Sequence, residues 1–275
     1  MEAALLRERI STRCPGSGSR LCRGLHSAVL NLCWPLGGWW LSGFDQLCDP
    51  RRRSHGLAIV LPGVEGRSPL NWSIAQGLND AGFPGSIEVV DWTTGFWPLF
   101  PYHLRAGRRN RARAQAIAAT IVDYQREFPG RPTCIVGHSG GAALTAWVLE
   151  ALPPDCRVTT AAMLGPALPR RYQLHSALMH VEQTLWNFWT PLDVLFLAAG
   201  TILCGNLNGR HALAAGCASF AVPQNPSDNA AQLYDARLRQ YRFRLADLPR
   251  FHLGGHMSWA NRTFIAEVVA PRLFS

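Results

Sequence analysis

A glycine-flanked serine lies between two apolar segments of different character near the middle of this chain. The segment 133–136 contains the β-branched residues typical of a buried strand, and 142–149 contains the small apolar residues of a packed helix. Between them the sequence reads GHSGG, with Gly137 and Gly141 at its ends and Ser139 at its centre. A sharp turn from strand to helix strains the backbone, and side chains at the two outer positions would collide with neighbouring elements. The pattern therefore predicts a nucleophilic serine at the apex of the turn, and the alternative is that this serine only begins a helix.

The turn in this context resembles the nucleophile elbow of the α/β-hydrolase superfamily, in its lipase and serine-esterase branch. The resemblance covers about 57–273, which is most of the chain. It implies the α/β-hydrolase fold, with a mostly parallel central sheet and helices on both faces. It also implies that the chain is an enzyme with a serine nucleophile, a histidine base and an acid, in that superfamily's order along the chain of serine, acid and histidine.

Other segments have the hydrophobic patterns expected of such a scaffold. Continuous apolar runs are typical of strands that are buried on both faces of a parallel sheet. The strands predicted in this way are 57–61, 86–92, 158–164 and 185–189. The helices predicted from apolar residues at helical spacing and from their places between strands are 69–81, 112–128, 172–183, 194–203 and 259–269.

The resemblance implies that the acid follows a late strand. Asp193 stands just after the predicted strand 185–189 and just before a predicted helix, so it is preferred as the acid. The alternative is that its carboxylate only caps that helix. The other aspartates considered for this role are Asp155, Asp228, Asp235 and Asp247.

The base position implied by the resemblance is a loop before the closing helix. His256 follows two glycines in such a loop and is therefore preferred. His211 and His252 are weaker candidates for the base. His138 adjoins the nucleophile in sequence and cannot easily turn back toward it, so a role in shaping the turn is expected for this residue.

The loop that follows the first predicted strand is expected to supply an oxyanion hole. It resembles the superfamily's oxyanion loop, although Pro62 stands where a histidine is usual. The chemistry needs only backbone N–H groups, and by position these are the N–H groups of Val64 and Gly140. An ordinary glycine-rich turn is the alternative for this loop. A later aromatic loop is expected either to line a substrate pocket or to pack in the core, and its candidate pocket residues are Phe96, Trp97 and Phe100.

The first 54 residues differ from the rest and are interpreted as an N-terminal extension to a domain at 55–275. Several arginines precede an apolar stretch at 24–44 that contains no acidic residue and no arginine. This order favours a signal or membrane-anchor segment, with tryptophans at a membrane interface, and favours export or membrane association over a cytoplasmic location. The alternative is an amphipathic extension packed on the domain. The segment 205–229 has no predicted role beyond that of an insertion near the site.

Composition excludes several kinds of chemistry. All 27 basic residues are arginine, so a lysine-dependent phosphate loop, Schiff base, serine–lysine pair or pyridoxal phosphate linkage is ruled out. The net charge of +9 comes without a recognised nucleic-acid-binding motif, so nucleic acid is not expected as a partner. The eight cysteines show no metal-ligand spacing. The acyl-transfer chemistry that the resemblance implies requires neither a metal nor an organic cofactor, so none is expected.

The function that these observations favour is hydrolysis of a carboxylic ester through Ser139, His256 and Asp193, with an acyl-enzyme intermediate. The expected substrate is a small-molecule or lipid ester. An amidase, peptidase or acyltransferase on the same fold is an alternative. A second alternative is a binding protein of this fold without catalytic activity, and a third is a membrane-tethered interaction protein that acts through its N-terminal segment.

Overall fold

A parallel six-stranded sheet organises the part of the chain that the structure, a computed structural model, describes. That part comprises residues 17–38, 41, 47–223 and 228–274. The strand order across the sheet is β2-β1-β3-β4-β5-β6, and every neighbouring pair is parallel. The strands are β1 (Leu57–Leu61), β2 (Ser86–Val89), β3 (Thr133–His138), β4 (Val158–Leu164), β5 (Val181–Trp189) and β6 (Leu238–Arg242).

Helices connect these strands and cover both faces of the sheet. The α-helices are α1 (Ser17–Leu32), α2 (Pro69–Asp80), α3 (Phe100–Arg105), α4 (Gly107–Glu127), α5 (Gly140–Glu150), α6 (His175–Met179), α7 (Thr201–Cys204), α8 (Ala215–Ala218), α9 (Asp228–Arg237), α10 (Arg262–Phe264) and α11 (Ala270–Leu273). Two π-helical segments, Val194–Gly200 and Ile265–Val269, precede α7 and α11. Short 3-10 helices occur at Trp34–Leu36, Pro50–His55, Trp97–Leu99, Leu245–Arg250 and His256–Ala260.

The two faces of the sheet carry two separate hydrophobic cores. Successive side chains of a strand point to opposite faces, so both faces of β1 must be apolar if both are covered. Leu57, Ile59 and Leu61 pack into the core beneath α4 and α5, and Ala58 and Val60 pack into the core beneath α2 and the C-terminal helices. The α/β architecture with a parallel sheet and helices on both faces, which the apolar runs predicted, is confirmed.

Several predicted boundaries were wrong. The helix expected at 172–183 is only the single turn α6, because β5 begins at Val181 and pairs with β4 from there. The strand expected at 86–92 pairs with β1 only as far as Val89. The predicted aromatic loop contains a 3-10 turn and α3. Helix α4 begins at Gly107, five residues before the predicted start, because the arginines there are good helix formers.

The closing helix starts later than the sequence predicted. It begins at Arg262, and the Asn261 side chain caps it by accepting a hydrogen bond from the Thr263 N–H at 2.9 Å. A 3-10 turn, His256–Ala260, occupies the expected first positions instead. Asparagine is a preferred N-cap residue because its side-chain oxygen satisfies an N–H group that lacks an acceptor within the helix.

The described part of the N-terminal segment packs on the domain. Helix α1 buries Ser27 and Asn31, and Asn31 accepts a hydrogen bond from the Ser73 hydroxyl of α2 at 2.9 Å. Arg23 forms an ion pair with Asp80 at 3.2 Å. None of the described helices has both the length and the apolar character needed to span a bilayer. The membrane anchor expected within 24–44 is corrected for this part, because a helix with buried polar contacts to a domain is amphipathic rather than lipid-spanning. Residues 39–40 and 42–46 lie outside the described residues.

Candidate active site

Ser139 lies in a strained turn between β3 and α5. Its backbone has φ 54° and ψ −115°, in a region that non-glycine residues rarely adopt. A Cβ atom at Gly137 would lie 2.5 Å from the Thr145 hydroxyl oxygen, and one at Gly141 would lie 2.2 Å from the Pro62 carbonyl oxygen. Only glycine fits at these two positions, so the close approach of loop and helix holds the serine in its strained conformation.

His256 and Asp193 form a buried pair. His256 lies in the loop before the closing helix, and Asp193 lies in the loop after β5. The His256 Nδ1 and Asp193 Oδ2 atoms are 2.5 Å apart, and the two residues are 5% and 2% exposed. The other Asp193 oxygen accepts from the Leu197 N–H at 3.3 Å. Burial alone would lower the pKa of His256, but the charge of Asp193, its hydrogen bond and the charge of Glu65 together raise this pKa above the ordinary value. With Nδ1–H donating to Asp193, Nε2 is left as the basic atom.

The segment 205–229, which was predicted only as an insertion near the site, forms hydrogen bonds with the loop that contains Asp193. The Gly216 carbonyl accepts from the Thr190 N–H at 3.0 Å, and the Gly216 N–H donates to the Pro166 carbonyl at 3.1 Å. A Cβ atom at Gly216 would lie 2.4 Å from the backbone of Gly165, so a glycine is required at this crossing. The segment therefore connects the loop after β4 to the loop after β5, although residues 224–227 are outside the described part.

The backbone amides of Val64 and Gly140 lie next to each other. A Cβ atom at Gly140 would be 3.4 Å from the Val64 nitrogen, and neither N–H group donates to a backbone acceptor among the residues described. His103 fixes the Val64 peptide: its Nδ1 is 2.8 Å from the Val64 carbonyl oxygen, and its Nε2 is 2.9 Å from the Thr94 hydroxyl and 3.2 Å from the Thr94 nitrogen. These partners make His103 a neutral ring that donates from Nδ1 and accepts at Nε2.

A cavity of about 290 Å³ brings the candidate residues together. Ser139 and His256 both line it, and Val64 lies at its wall. Of the aromatic residues predicted to form a pocket, Trp97 and Phe100 line the cavity, whereas Phe96 does not and is 60% exposed. Most of the remaining wall is apolar, and its further residues include Trp34, Leu104, Ala167, Phe196, Leu197 and Met257.

Two aromatic residues of this wall were missed in the sequence. Trp34, which was interpreted as a membrane-interface residue, instead packs edge-on against Trp97 with ring centroids 5.6 Å apart. Phe196 stacks on the His256 ring at 5.1 Å. Neither contact has a sequence signal, because Trp34 is distant in sequence and Phe196 lies in a segment predicted only as a helix.

Two ionisable residues at the cavity were also missed or assigned another role. Glu65 is 7% exposed, and burial raises its pKa to about 7. His138 lines the cavity as well, and burial with the nearby charge of His256 lowers its pKa to about 3, so the ring is neutral. Its Nε2 lies 3.3 Å from the His256 carbonyl oxygen. The signal that could have found Glu65 is an acidic residue in a glycine-rich loop directly after a buried strand.

The rival acids and bases lie in other environments. Asp247 accepts from the Tyr241 hydroxyl at 2.7 Å and from the Arg244 N–H at 2.9 Å, so it is a structural carboxylate. His211 is exposed and contacts the Ile202 carbonyl, and His252 is buried between aromatic rings outside the cavity wall. Asp155 and Asp235 are exposed, and the side chain of Asp228 is not described. No cluster of three or more His, Cys, Asp or Glu side chains that could hold a metal ion occurs among the residues described.

Comparisons with known proteins return little for this chain. No family model matches it, and no curated protein matches it. Among solved structures, it is similar to the agmatine ureohydrolase of Thermoplasma volcanium, with 8% sequence identity and a TM-score of 0.35 over 86% of this chain and 96% of that chain. A similarity this low transfers no chemistry to the present chain.

These comparisons correct the family assignment. No family model and no curated protein supports the resemblance to the lipase and serine-esterase branch of the α/β-hydrolases. We therefore withdraw that assignment, together with the lipase-like cleavage of a carboxylic ester that it implied. The glycines on either side of the serine are explained by the close contacts at this turn. Neither a superfamily nor a substrate follows from that pattern.

Proposed function

We propose that this chain is a hydrolase whose nucleophile is Ser139, with His256 as the general base and Asp193 as the group that orients His256. The observation that carries the proposal is the buried hydrogen bond between Asp193 and His256. His256 lines the same cavity as the strained Ser139. A base oriented by a carboxylate beside a hydroxyl nucleophile is the arrangement that covalent catalysis requires. The substrate is proposed to contain a reacting carbonyl group and is not proposed to be a lipase-like ester.

The reaction proceeds through a covalent intermediate. His256 Nε2 takes the Ser139 proton while the Ser139 Oγ atom bonds to the carbonyl carbon, and the π electrons of the carbonyl move onto its oxygen. The intermediate collapses, the leaving group departs with the proton from His256, and Ser139 remains acylated. Water then repeats the sequence on the acyl-enzyme and releases Ser139. Asp193 stabilises the imidazolium that forms twice in this cycle.

The Val64 and Gly140 amides would stabilise the negative oxygen of the tetrahedral intermediate. Both N–H groups are without a backbone acceptor among the described residues. Gly140 follows Ser139 in the turn, and Val64, in the loop after β1, lies beside Gly140. An oxyanion donor of this kind is typically worth about 2.7 to 4 kcal/mol of transition-state stabilisation. The apolar walls of the cavity strengthen such interactions, because they exclude water.

Labelling with a fluorophosphonate probe tests this proposal. The probe reacts with activated serines, so intact-mass analysis of the wild type should show one adduct, and peptide mapping should place it on Ser139. Ser139→Ala should show none. The matched control is Ser54→Ala, whose hydroxyl donates to the Arg51 carbonyl outside the cavity, and this variant should label like the wild type.

The His256→Gln variant provides a second criterion. Without the base, the labelling rate should fall about 10²-fold or more, because general base catalysis typically contributes that much. Folded wild-type protein, verified by circular dichroism, that takes up no probe would refute the activated serine. Labelling of equal rate in His256→Gln would refute the assigned base.

A further inference from the structure

Glu65 brings a carboxyl group into a cavity that is otherwise mostly apolar. It is the single carboxyl-bearing residue among those that line this cavity in the described part of the chain, and it is 93% buried. It follows Val64 directly, so it adjoins the amide assigned to the oxyanion hole. The proposed mechanism gives this carboxyl group no role, although burying one in an apolar wall is costly.

The carboxyl group is held by its own loop. Its Oε1 atom accepts from the Gly63 N–H at 3.1 Å and from the Ser68 hydroxyl at 3.4 Å. Ser68 is itself fixed at the start of α2, where Asn71 donates to its hydroxyl at 2.9 Å. These bonds engage one oxygen and fix the group beside Val64, so its charge acts at a defined place in the site.

The charge of Glu65 depends on the groups that face it. Burial raises its pKa to about 7, backbone N–H groups of its loop and the nearby His256 lower it, and Asp91 raises it. His138 is neutral because its pKa is lowered to about 3. His103, on the other side of Val64, is held neutral by its two hydrogen-bond partners. Asp193 forms a hydrogen bond with His256 Nδ1 and adds negative charge beside that ring.

An ionised Glu65 opposes the reaction that the site is proposed to catalyse. The oxygen of the tetrahedral intermediate becomes negative beside Val64, and a carboxylate next to it repels that charge in a site of low dielectric. A proton could neutralise Glu65. At a pH low enough for this, however, His256 also becomes protonated, because its own pKa is raised, and it then cannot act as a base. A cation brought by the substrate neutralises Glu65 without protonating His256.

We propose that Glu65 binds a cationic group of the substrate, so that the site selects carbonyl compounds that carry an ammonium or guanidinium group close to the reacting carbon. This inference rests on the function proposed for Ser139. A neutral hydroxyl group would satisfy a lone pair of the carboxylate but would leave its charge opposing the oxyanion. The apolar walls around Glu65 would contact the hydrocarbon part of such a substrate.

Binding of two small probes of equal shape tests the cation site independently of catalysis. The probes are n-butylammonium and n-butanol, and the readout is calorimetry together with the fluorescence of Trp34 and Trp97 in the cavity wall. At about pH 8 the wild type should bind the ammonium probe about tenfold or more tightly than the alcohol. Glu65→Gln should lose this preference, because the amide keeps the shape but not the charge. Glu182→Gln, an exposed acid on β5, is the matched control and should retain the preference.

The pH dependence of binding adds a second criterion. Ammonium binding by the wild type should weaken as the pH falls from about 8 to about 5.5, since Glu65 takes up a proton in this range. Protonation of His256 also repels the cation, and this part of the effect should persist in Glu65→Gln. Equal binding of the two probes by folded wild type would overturn the inference, and so would an unchanged ammonium preference in folded Glu65→Gln.

Turnover of a matched pair of acyl probes separates this inference from the proposed function. A substrate with a cationic group near its carbonyl should be preferred about tenfold or more in kcat/KM over its neutral counterpart, and Glu65→Gln should abolish the preference. Turnover without any such preference overturns the cation site and leaves Ser139 in place. Ammonium binding that depends on Glu65 in a protein without fluorophosphonate labelling overturns the nucleophile and leaves the cation site.

Discussion

Two sides of the cavity give a buried carboxyl group different hydrogen-bond partners. On the Asp193 side, formed by Asp193 and His256, the carboxylate receives a hydrogen bond from an ionisable ring at 2.5 Å. On the Glu65 side, formed by the loop Gly63–Ser68, the carboxyl group receives hydrogen bonds only from within its loop as far as the described residues go. A buried carboxylate is stabilised when its partner can carry positive charge, and it otherwise tends to hold a proton. The carboxylate of Asp193 therefore has a hydrogen-bonded partner that can become a cation, and the carboxyl group of Glu65 has no such partner among the described residues.

This difference assigns separate roles to the two sides. In the proposed mechanism the Asp193 side controls the proton that leaves Ser139, so changes there should act mainly on the rate of the chemical step. In the same mechanism the Glu65 side controls the charge around the developing oxyanion and the position of Val64, so changes there should act on selectivity, pH dependence and stability. Four variants test this division.

Asp193→Asn should produce the largest effect. An amide at this position can hold His256 with the wrong ring nitrogen protonated, and a loss of this kind lowers kcat by about 10⁴-fold in a serine protease. Turnover and fluorophosphonate labelling rates measure the loss. Asp155→Asn, at an exposed position, is the control and should behave as the wild type. A rate within about tenfold of the wild type in folded Asp193→Asn would show that Asp193 does not orient the catalytic base.

His103→Leu should act on the Glu65 side by releasing Val64. Leucine leaves the part-buried Val64 carbonyl and the Thr94 N–H without their partners, and the loss of such a hydrogen bond typically costs about 0.5 to 1.5 kcal/mol in the free energy of unfolding. Chemical denaturation should show this decrease, and kcat should fall while KM changes little, because the amide of Val64 acts on the transition state. His103→Gln can replace part of the bonding and should recover part of kcat.

The exposed His26→Leu serves as the control for this variant and should leave both stability and kcat unchanged. If His103→Leu loses stability but keeps its kcat, His103 is a structural residue of α3 and does not position the oxyanion loop. If it keeps both, the bond to Val64 contributes nothing that either assay detects.

Glu65→Gln should stabilise the protein in a pH-dependent way. The pKa of Glu65 is raised by burial to about 7, so wild-type protein binds its proton more tightly when folded than when unfolded. This stabilising contribution is complete below about pH 4.5 and is lost as the pH rises to about 7. At about pH 8 the variant should exceed the wild type by about 1 to 3 kcal/mol in the free energy of unfolding, and at about pH 4.5 the two should agree. Urea denaturation at both pH values measures this, and a difference independent of pH would show that the carboxyl group is not the cause.

The part of the molecule that the sequence predicted best is the sheet and its loops. Apolar runs such as 57–61 have one explanation, burial on both faces, and the structure confirms the parallel α/β sheet that they indicate. Ser139 was predicted from the glycine-flanked turn, and Asp193 and His256 were predicted from the resemblance. The structure places Ser139 and His256 at one cavity, with Asp193 bonded to His256, because parallel strands end at the same edge. A local pattern combined with the rules of parallel sheets was sufficient for the sheet, and the catalytic roles of these three residues stay predictions.

The part that the sequence did not predict depends on contacts between distant residues. His103 supports Val64 across 39 positions, and Trp34 reaches the cavity from the N-terminal segment. The signal-like order of charges around α1 was misleading, since the same order also describes an amphipathic helix whose polar residues bond to the domain. Glu65 was missed because sequence shows the type of a residue but not its burial, and burial gives this carboxyl group its unusual pKa.

Asn31→Ala should have the smallest effect. It tests whether the contact between α1 and α2 helps to position Glu65. Asn31 of α1 accepts from the Ser73 hydroxyl of α2, the helix whose N-terminus holds the loop with Glu65. Removing this buried acceptor should lower the free energy of unfolding by about 1 kcal/mol. Leu25→Ala, on the exposed face of α1, is the control and should cost less. If the Asn31→Ala variant also loses ammonium binding at the cavity, α1 helps to position Glu65. If only the stability falls, the bonds of Glu65 within its own loop are sufficient, and α1 acts as support for α2 alone.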